Sequence, residues 1–389
     1  MHAALLALLL VPSQDPAPLD PGSVAAAVVD ERAACEALGR RIEEAVAARD
    51  PDRLAEEIDF DAIVERALEG FPSDSPGLAG FRDGLGGGAK FCTTLIESFE
   101  RDETQFDFMR LLDAPRRLLF RHFDVGGVGY IEFEVAPDED GTARAVDMYQ
   151  WTTGQSLSEQ FRWFALPLVW KESVGDRAAS RLGGKESAIA RSTLRIRRMF
   201  ERLDSDPAGA MKVYDSLPQE VKFEPFILAA RVQIAFQLGD DEYIEALDAF
   251  EKHHPESPAL DLLLVDRAVI AGDHPAVLRL YDALDAKVGG DPFLDVLRAA
   301  TLVETGDVDR ARTTFERAIR RDARLESVAL WSLVGLELDV EDFVAVYQLL
   351  VRLDRSQDLA WNDLTEAPHF AKFVQSPAYR RWLYYLENK

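Results

Sequence analysis

The chain is short of positive charge. Its 389 residues carry 44 Lys and Arg against 69 Asp and Glu, a formal net charge of -25. Affinity for a phosphate backbone or an anionic lipid surface rests on neutralisation by Lys and Arg, so nucleic acid is not an expected partner. Cysteine is scarce: Cys35 and Cys92 are the whole complement. That count allows one bridge in an exported protein or two thiols in a cytosolic one, and buried small hydrophobes are the favoured reading, since free Cys is among the most buried residue types. Histidine is sparse too, and none of His2, His122, His253, His254, His274 and His369 stands four residues from another on a helix or beside paired cysteines. No metal site and no cofactor are expected from that spacing. His253-His254 is expected at the C-terminal end of a helix, where partial negative charge favours imidazolium.

No apolar run approaches the length of a membrane span, so no integral membrane segment is expected. The longest at the start, Ala3 to Val11, has nine residues, which is the length of a signal-peptide core. Pro12 to Pro21 suits a cleavage region and an extended tether, so residues 1–22 read as signal peptide and tether. Export, to the periplasm or outside the cell, is the expectation. A cytoplasmic location is the alternative, because His2 alone stands where an export signal carries Lys or Arg. Catalytic motifs are missing as well. In Gly84 to Lys90 an alanine replaces the glycine before the lysine and Phe91 stands where a phosphate loop needs Ser or Thr. Glu186 follows Lys185 in the second glycine-lysine segment, and Gly154-Gln155-Ser156 lacks the second glycine of a nucleophile elbow.

What is present suits two domains, with 47% hydrophobic and 29% charged residues. Helical periodicity runs from Ser23 to Arg49, from Leu54 to Leu68 and from about Ala89 to Arg101, with a Gly- and Pro-rich loop expected over Gly70 to Gly88. The period then shortens to two. Strands are expected at Phe106 to Leu112, Arg117 to Val125, Gly129 to Ala136 and Ala143 to Thr152, with a hairpin turn at Pro137 to Gly141. In the first, Phe106, Phe108 and Leu112 share a parity. Helices followed by a meander make residues 25–160 an α+β domain with a curved antiparallel sheet. That order of elements resembles the cone fold of the nuclear transport factor and cystatin-like superfamily.

Helical pattern resumes from Leu166 to Arg202 in a linker assigned to residues 161–204. Within it Arg191, Arg195, Arg197, Arg198 and Arg202 form a basic stripe, read as a solvated face paired with nearby acids such as Glu201 and Asp204. Beyond Ser205 the chain repeats itself. Ser205, Gly239, Gly272, Gly306 and Val340 are 34, 33, 34 and 34 residues apart, and three of them open a Gly-Asp turn. Five and nine residues past each marker stand Ala210 with Tyr214, Val277 with Tyr281, Ala311 with Phe315, and Ala345 with Leu349. In the second unit a shifted register brings Ala246 and Phe250 to those roles. Val232, Val265, Ala299 and Leu333 sit seven residues before a turn, and Ala235, Ala268, Leu302 and Leu336 four before it, each an apolar seam.

This period and the segment Glu304 to Asp322, ETGDVDRARTTFERAIRRD, resemble the tetratricopeptide repeat. The resemblance implies an all-α helical repeat solenoid over residues 205–356, capped by residues 357–389, where Trp361, Leu364, Phe370, Phe373, Tyr379, Trp382 and Leu383 concentrate aromatic and apolar area. It also implies a non-enzymatic scaffold or adaptor that holds a protein partner. The one constellation that suggests a site lies on the sheet. Alternation sends Ile131, Phe133, Val135, Val146 and Met148 to one face and Tyr130, Glu132, Glu134, Asp147, Tyr149 and Trp151 to the other. An acidic face with three large aromatics is expected to be covered, by linker helices carrying the basic stripe, by the repeats or by a second copy in a homodimer. The competing readings are catalysis by His122, Tyr130 and Asp147, and a small-molecule pocket inside the cone with the repeats as accessory.

Overall fold

The computed structural model of the protein describes residues 21–101, 104–113, 116–124, 127–137, 142–172, 184–357, 361 and 363–389. The apolar run Ala3 to Val11, nearly all of the tether and the tip of the turn at 138–141 lie outside them, as do residues 173–183 and 358–360. The chain divides into two compact units, one taking in the residues up to Gln150 together with the helix that follows Ser156, the other the remaining helices and the segment Trp151–Gln155.

The first unit opens with helices α1 (Pro21–Ala47), α2 (Pro51–Glu57), α3 (Phe60–Leu68), α4 (Pro76–Leu85) and α5 (Gly87–Arg101). Two of these correct the sequence reading. The single helix expected from Leu54 to Leu68 is broken at Ile58, which is extended and bridges Ala145, and Asp59 restarts the helix by accepting from the Ala62 N–H at 2.9 Å. The expected loop from Gly70 to Gly88 holds α4, because Ser75 caps it through the Leu78 N–H, Pro76 takes the first turn and Gly86 ends it in the left-handed region at φ 74°.

Strands β1 (Gln105–Asp113), β2 (Arg116–Asp124), β3 (Gly127–Pro137), β4 (Ala143–Gln150) and β5 (Gln155–Ser156) form one sheet in that order, with β1 to β4 an antiparallel meander. Helix α6 (Leu157–Glu172) follows and packs on α3, α4 and β4. The core lies between α1 and the sheet, where Leu38 and Ile42 meet Phe106, Phe108, Phe120 and Phe133. Burial of side chains of this size contributes about 1.5–3 kcal/mol each. Phe106 stacks on Phe120 at 4.7 Å and Phe133 meets Phe120 edge-on at 5.3 Å, so rings fill the space between α1 and the sheet. Cys35 and Cys92 are both buried, unpaired thiols in this core. Helix α1 comes close to β1 at Gly39, where an added Cβ would sit 2.5 Å from the Phe108 ring.

Two β-bulges overturn the expected parity. Met109 is the extra residue between Phe108 and Arg110, so Leu111 rather than Leu112 turns inward. Val146 is the extra residue of β4, so Ala143 and Ala145 rather than Val146 share the core face with Met148.

The second unit is helical: α7 (Gly184–Arg202), α8 (Pro207–Asp215), α9 (Gln219–Lys222), α10 (Pro225–Phe236), α11 (Asp240–His253), α12 (Pro258–Ile270), α13 (His274–Val288), α14 (Pro292–Glu304), α15 (Val308–Arg321), α16 (Glu326–Asp339), α17 (Phe343–Gln357) and α18 (Pro377–Glu387). From α10 to α17 each helix packs most extensively on a neighbour in sequence. Ala246, Phe250, Ala311, Phe315, Val277, Tyr214, Ala299 and Leu333 are all buried, as the recurring positions predict.

The turns explain the recurrence. After α12 and α14 the chain reverses through Gly272 (φ 64°) and Gly306 (φ 76°), and the next N–H returns to the helix, Asp273 to the Ala268 carbonyl and Asp307 to the Leu302 carbonyl, both at 2.9 Å. After α16 the same bond runs from the Asp342 N–H to the Glu337 carbonyl at 2.9 Å, and the left-handed residue is Glu341 (φ 58°). The last marker is therefore Glu341 and not Val340. One residue of slip moves the buried pair from Ala345 and Leu349 to Val346 and Leu350, both fully buried.

A non-glycine residue in the left-handed region costs roughly 1–2 kcal/mol, and the Glu341 side chain returns only an exposed bond to Lys372. Glu341→Gly should stabilise the protein by about 0.5–1 kcal/mol, read as a higher urea midpoint. Gly39→Ala should act the other way, by about 1–3 kcal/mol, since α1 must move off the Phe108 ring; an unchanged midpoint would contradict the packing described.

Candidate functional site

The sheet face singled out by alternation is buried within the single chain. Tyr130 is fully covered, Glu132, Asp147 and Trp151 are buried, and Tyr149 is half-buried. Its charges are met from the same unit. Arg117, opposite Glu134 across the β2–β3 pair, donates to Glu132 at 2.8 Å and lies over the Tyr149 ring. Arg66 of α3 forks onto Glu134 at 2.9 and 3.0 Å and reaches Asp147 at 3.2 Å, while Ser158 donates to Asp147 through both its N–H and its hydroxyl. Trp151 groups with the helical unit, where the Lys287 ammonium lies 5.5 Å from its ring centre. Of this face, Glu134 and Tyr149 stay half-exposed.

The alternative triad does not assemble. His122 pairs across the sheet with Gly129 and shares the face of Phe120, whereas Tyr130 pairs with Arg121 on the opposite face, so His122 points away from Tyr130 and Asp147. The basic stripe on α7 is tied locally: Arg197 pairs with Glu201 at 2.8 Å, Arg195 donates to the Ser216 carbonyl at 2.7 Å, and Arg202 lies 3.7 Å from Asp206. At the end of α11, His253 stacks on Phe223 at 3.8 Å. Desolvation there, with Lys252 and His254 nearby, pushes its pKa down.

The helical unit holds a cluster that alternation along strands could not disclose. Asp295 of α14 is fully buried and gathers three guanidinium groups: Arg298 at 2.7 Å, Arg317 at 2.7 and 3.0 Å, and Arg321 at 2.8 Å. Arg298 in turn donates to Asp282 at 2.9 Å, to Asp285 at 3.1 Å and to the Tyr281 carbonyl at 3.0 Å. Asp295 thus links α14 to α15, and Arg298 extends the network to α13. Burial works against ionisation of Asp295, but the hydrogen bonds and charges of Arg317 and Arg321 outweigh it and hold the carboxyl below its ordinary range. The signal in the sequence is an Asp and an Arg three apart in the largely apolar helix PFLDVLRAATLVE, answered by two Arg four apart on the next helix.

Beside this cluster lies a cleft of about 410 Å³ lined by Leu278 and Asp282 of α13, Arg298 and Leu302 of α14, and Arg310, Thr313, Thr314 and Arg317 of α15. Among the described residues no three His, Cys, Asp or Glu side chains gather as a metal site would need, and no helix is long and apolar enough to cross a membrane.

No protein-family model, no curated protein and no solved structure matches this chain.

Asp295→Asn should cost about 3 kcal/mol or more, because it leaves three arginines without their carboxylate. The sign with pH follows from the depressed folded pKa: the stabilisation is complete above the unfolded value, about 4, and is lost as pH falls through the folded value. Urea midpoints of wild type and variant, taken from pH 7 to pH 3, should therefore differ most at neutral pH and converge in acid. A constant gap would assign the loss to packing instead of charge.

Proposed function

We propose that this chain is a non-enzymatic scaffold that holds a protein segment against an array of tetratricopeptide-like helix pairs. The observation that carries the reading is a recurrence at the surface. Three residues before each turn marker the first helix of the pair carries Phe236, Val269, Val303 and Leu338, all apolar, with Phe236 70% and Val269 53% exposed and the other two half-buried. A buried position recurs because neighbouring helices must pack. An apolar position that recurs without being fully buried, even where Phe236 also meets the Tyr243 ring edge-on, is not accounted for by that packing, and repeat proteins use rows of this kind to bind partners. The sequence-neighbour packing of α10 to α17 also supports the reading, since repeat units stacked on their neighbours present an extended surface for partners.

Phe236→Ser combined with Val269→Ser tests this directly, because neither side chain belongs to the buried core. Affinity capture with the full chain should recover a partner that the double variant recovers at least about tenfold less, with the melting temperature unchanged. Equal recovery by both proteins would overturn the assignment of the row.

A further inference from the structure

The cleft between α13, α14 and α15 is cationic in a protein whose net charge is -25. Three arginines and one aspartate line it, and that aspartate, Asp282, already accepts from Arg298. Arg310, Thr313, Thr314 and Arg317 fall at helical spacings of three, four and seven, so α15 turns one polar face towards the space. Their donors differ in how far they are committed. Arg298 spends Nε, Nη1 and Nη2 on carboxylates and a carbonyl. Arg317 spends Nε and Nη2 on Asp295, which fixes its planar group and leaves Nη1 uncommitted among the described residues. Arg310, 68% exposed, makes one bond, to Asp307 at 3.0 Å, and Thr314 makes none among the described residues. Leu278 and Leu302 supply apolar wall.

We infer that this cleft binds an organic oxyanion, a carboxylate or phosphate joined to a short apolar body. Arg310, Arg317 and Thr314 donate to the oxygens, and the body lies against Leu278 and Leu302. Asp295 makes the site possible by holding Arg317 in place before any ligand arrives, so little side-chain freedom is lost on binding. The volume is enough for a ligand of this size and too small for a folded partner. Charge decides selectivity: an aliphatic alcohol of the same length meets the same wall but offers the guanidinium groups no charge. The inference is independent of the docking row, whose residues lie elsewhere in each pair.

Octanoate, octyl phosphate, octanol and inorganic phosphate, each titrated calorimetrically into the full chain, separate the contributions. The two amphiphilic anions should bind, the tighter of them naming the headgroup class, and octanol and inorganic phosphate should bind at least about tenfold more weakly. Arg310→Ala should weaken the anions by roughly tenfold with no change in melting temperature, because its one bond among the described residues is to the half-exposed Asp307, and added salt should weaken them further. Lys372→Ala, an exposed charge removed outside the cleft, should change nothing. Octanol binding as tightly as octanoate, anion affinity unaffected by Arg310→Ala, or no binding of either amphiphilic anion would each overturn the site.

Discussion

A helix from α10 to α17 buries its apolar side mainly against the helix beside it in sequence, and the register of that packing follows from the turn that brings the two together. The reversal is held by one left-handed residue and one returning N–H, as at Gly272 with Asp273 and at Gly306 with Asp307. Where the left-handed residue moves by one position, to Glu341, the buried pair on the next helix moves with it. Register is set at the turn, and the seam along each helix is its consequence.

Charge reinforces the same neighbour-to-neighbour scheme. Asp295 ties α14 to α15, Arg298 ties α14 to α13, Arg312 forks onto buried Glu337 to join α15 to α16, and Arg352 reaches Glu316 and Glu326 from α17. The end of the chain continues it: Asp354 accepts from Trp361, Tyr385 and Lys389, while Phe373 and Trp382 are buried beneath. Buried carboxylates of this kind are costly unless fully met, so each pair has one permitted alignment. A purely apolar seam would tolerate sliding.

The recurring positions, the helix-sheet-helix order and the aromatic cap were legible because each depends on a spacing that survives in one dimension. Ser376 and Pro377, for example, announce α18, and the Ser376 hydroxyl does accept from the Tyr379 N–H. What was not legible depends on a single inserted residue or on a partner distant in sequence. Met109 and Val146 look like ordinary strand residues, and nothing local says that each is a bulge after which the faces exchange. Ile58 leaves its helix to reach Ala145, 87 positions on. The acidic aromatic face was expected to meet the basic stripe, the repeats or a second copy; its charges pair instead with Arg66 and Arg117, and His122 stands on the other side of the sheet. The Asp295 cluster was missed because its carboxylate and arginines are spread over three consecutive helices and meet only when those helices pack.

The two native thiols are sealed in the first unit. Burial pushes Cys92 up to about 11 and raises Cys35 as well, and alkylating reagents attack thiolates. A single cysteine introduced at an exposed position can therefore carry a maleimide dye or a spin label in the native protein without removal of the natural pair, so distances between the two units become measurable in solution.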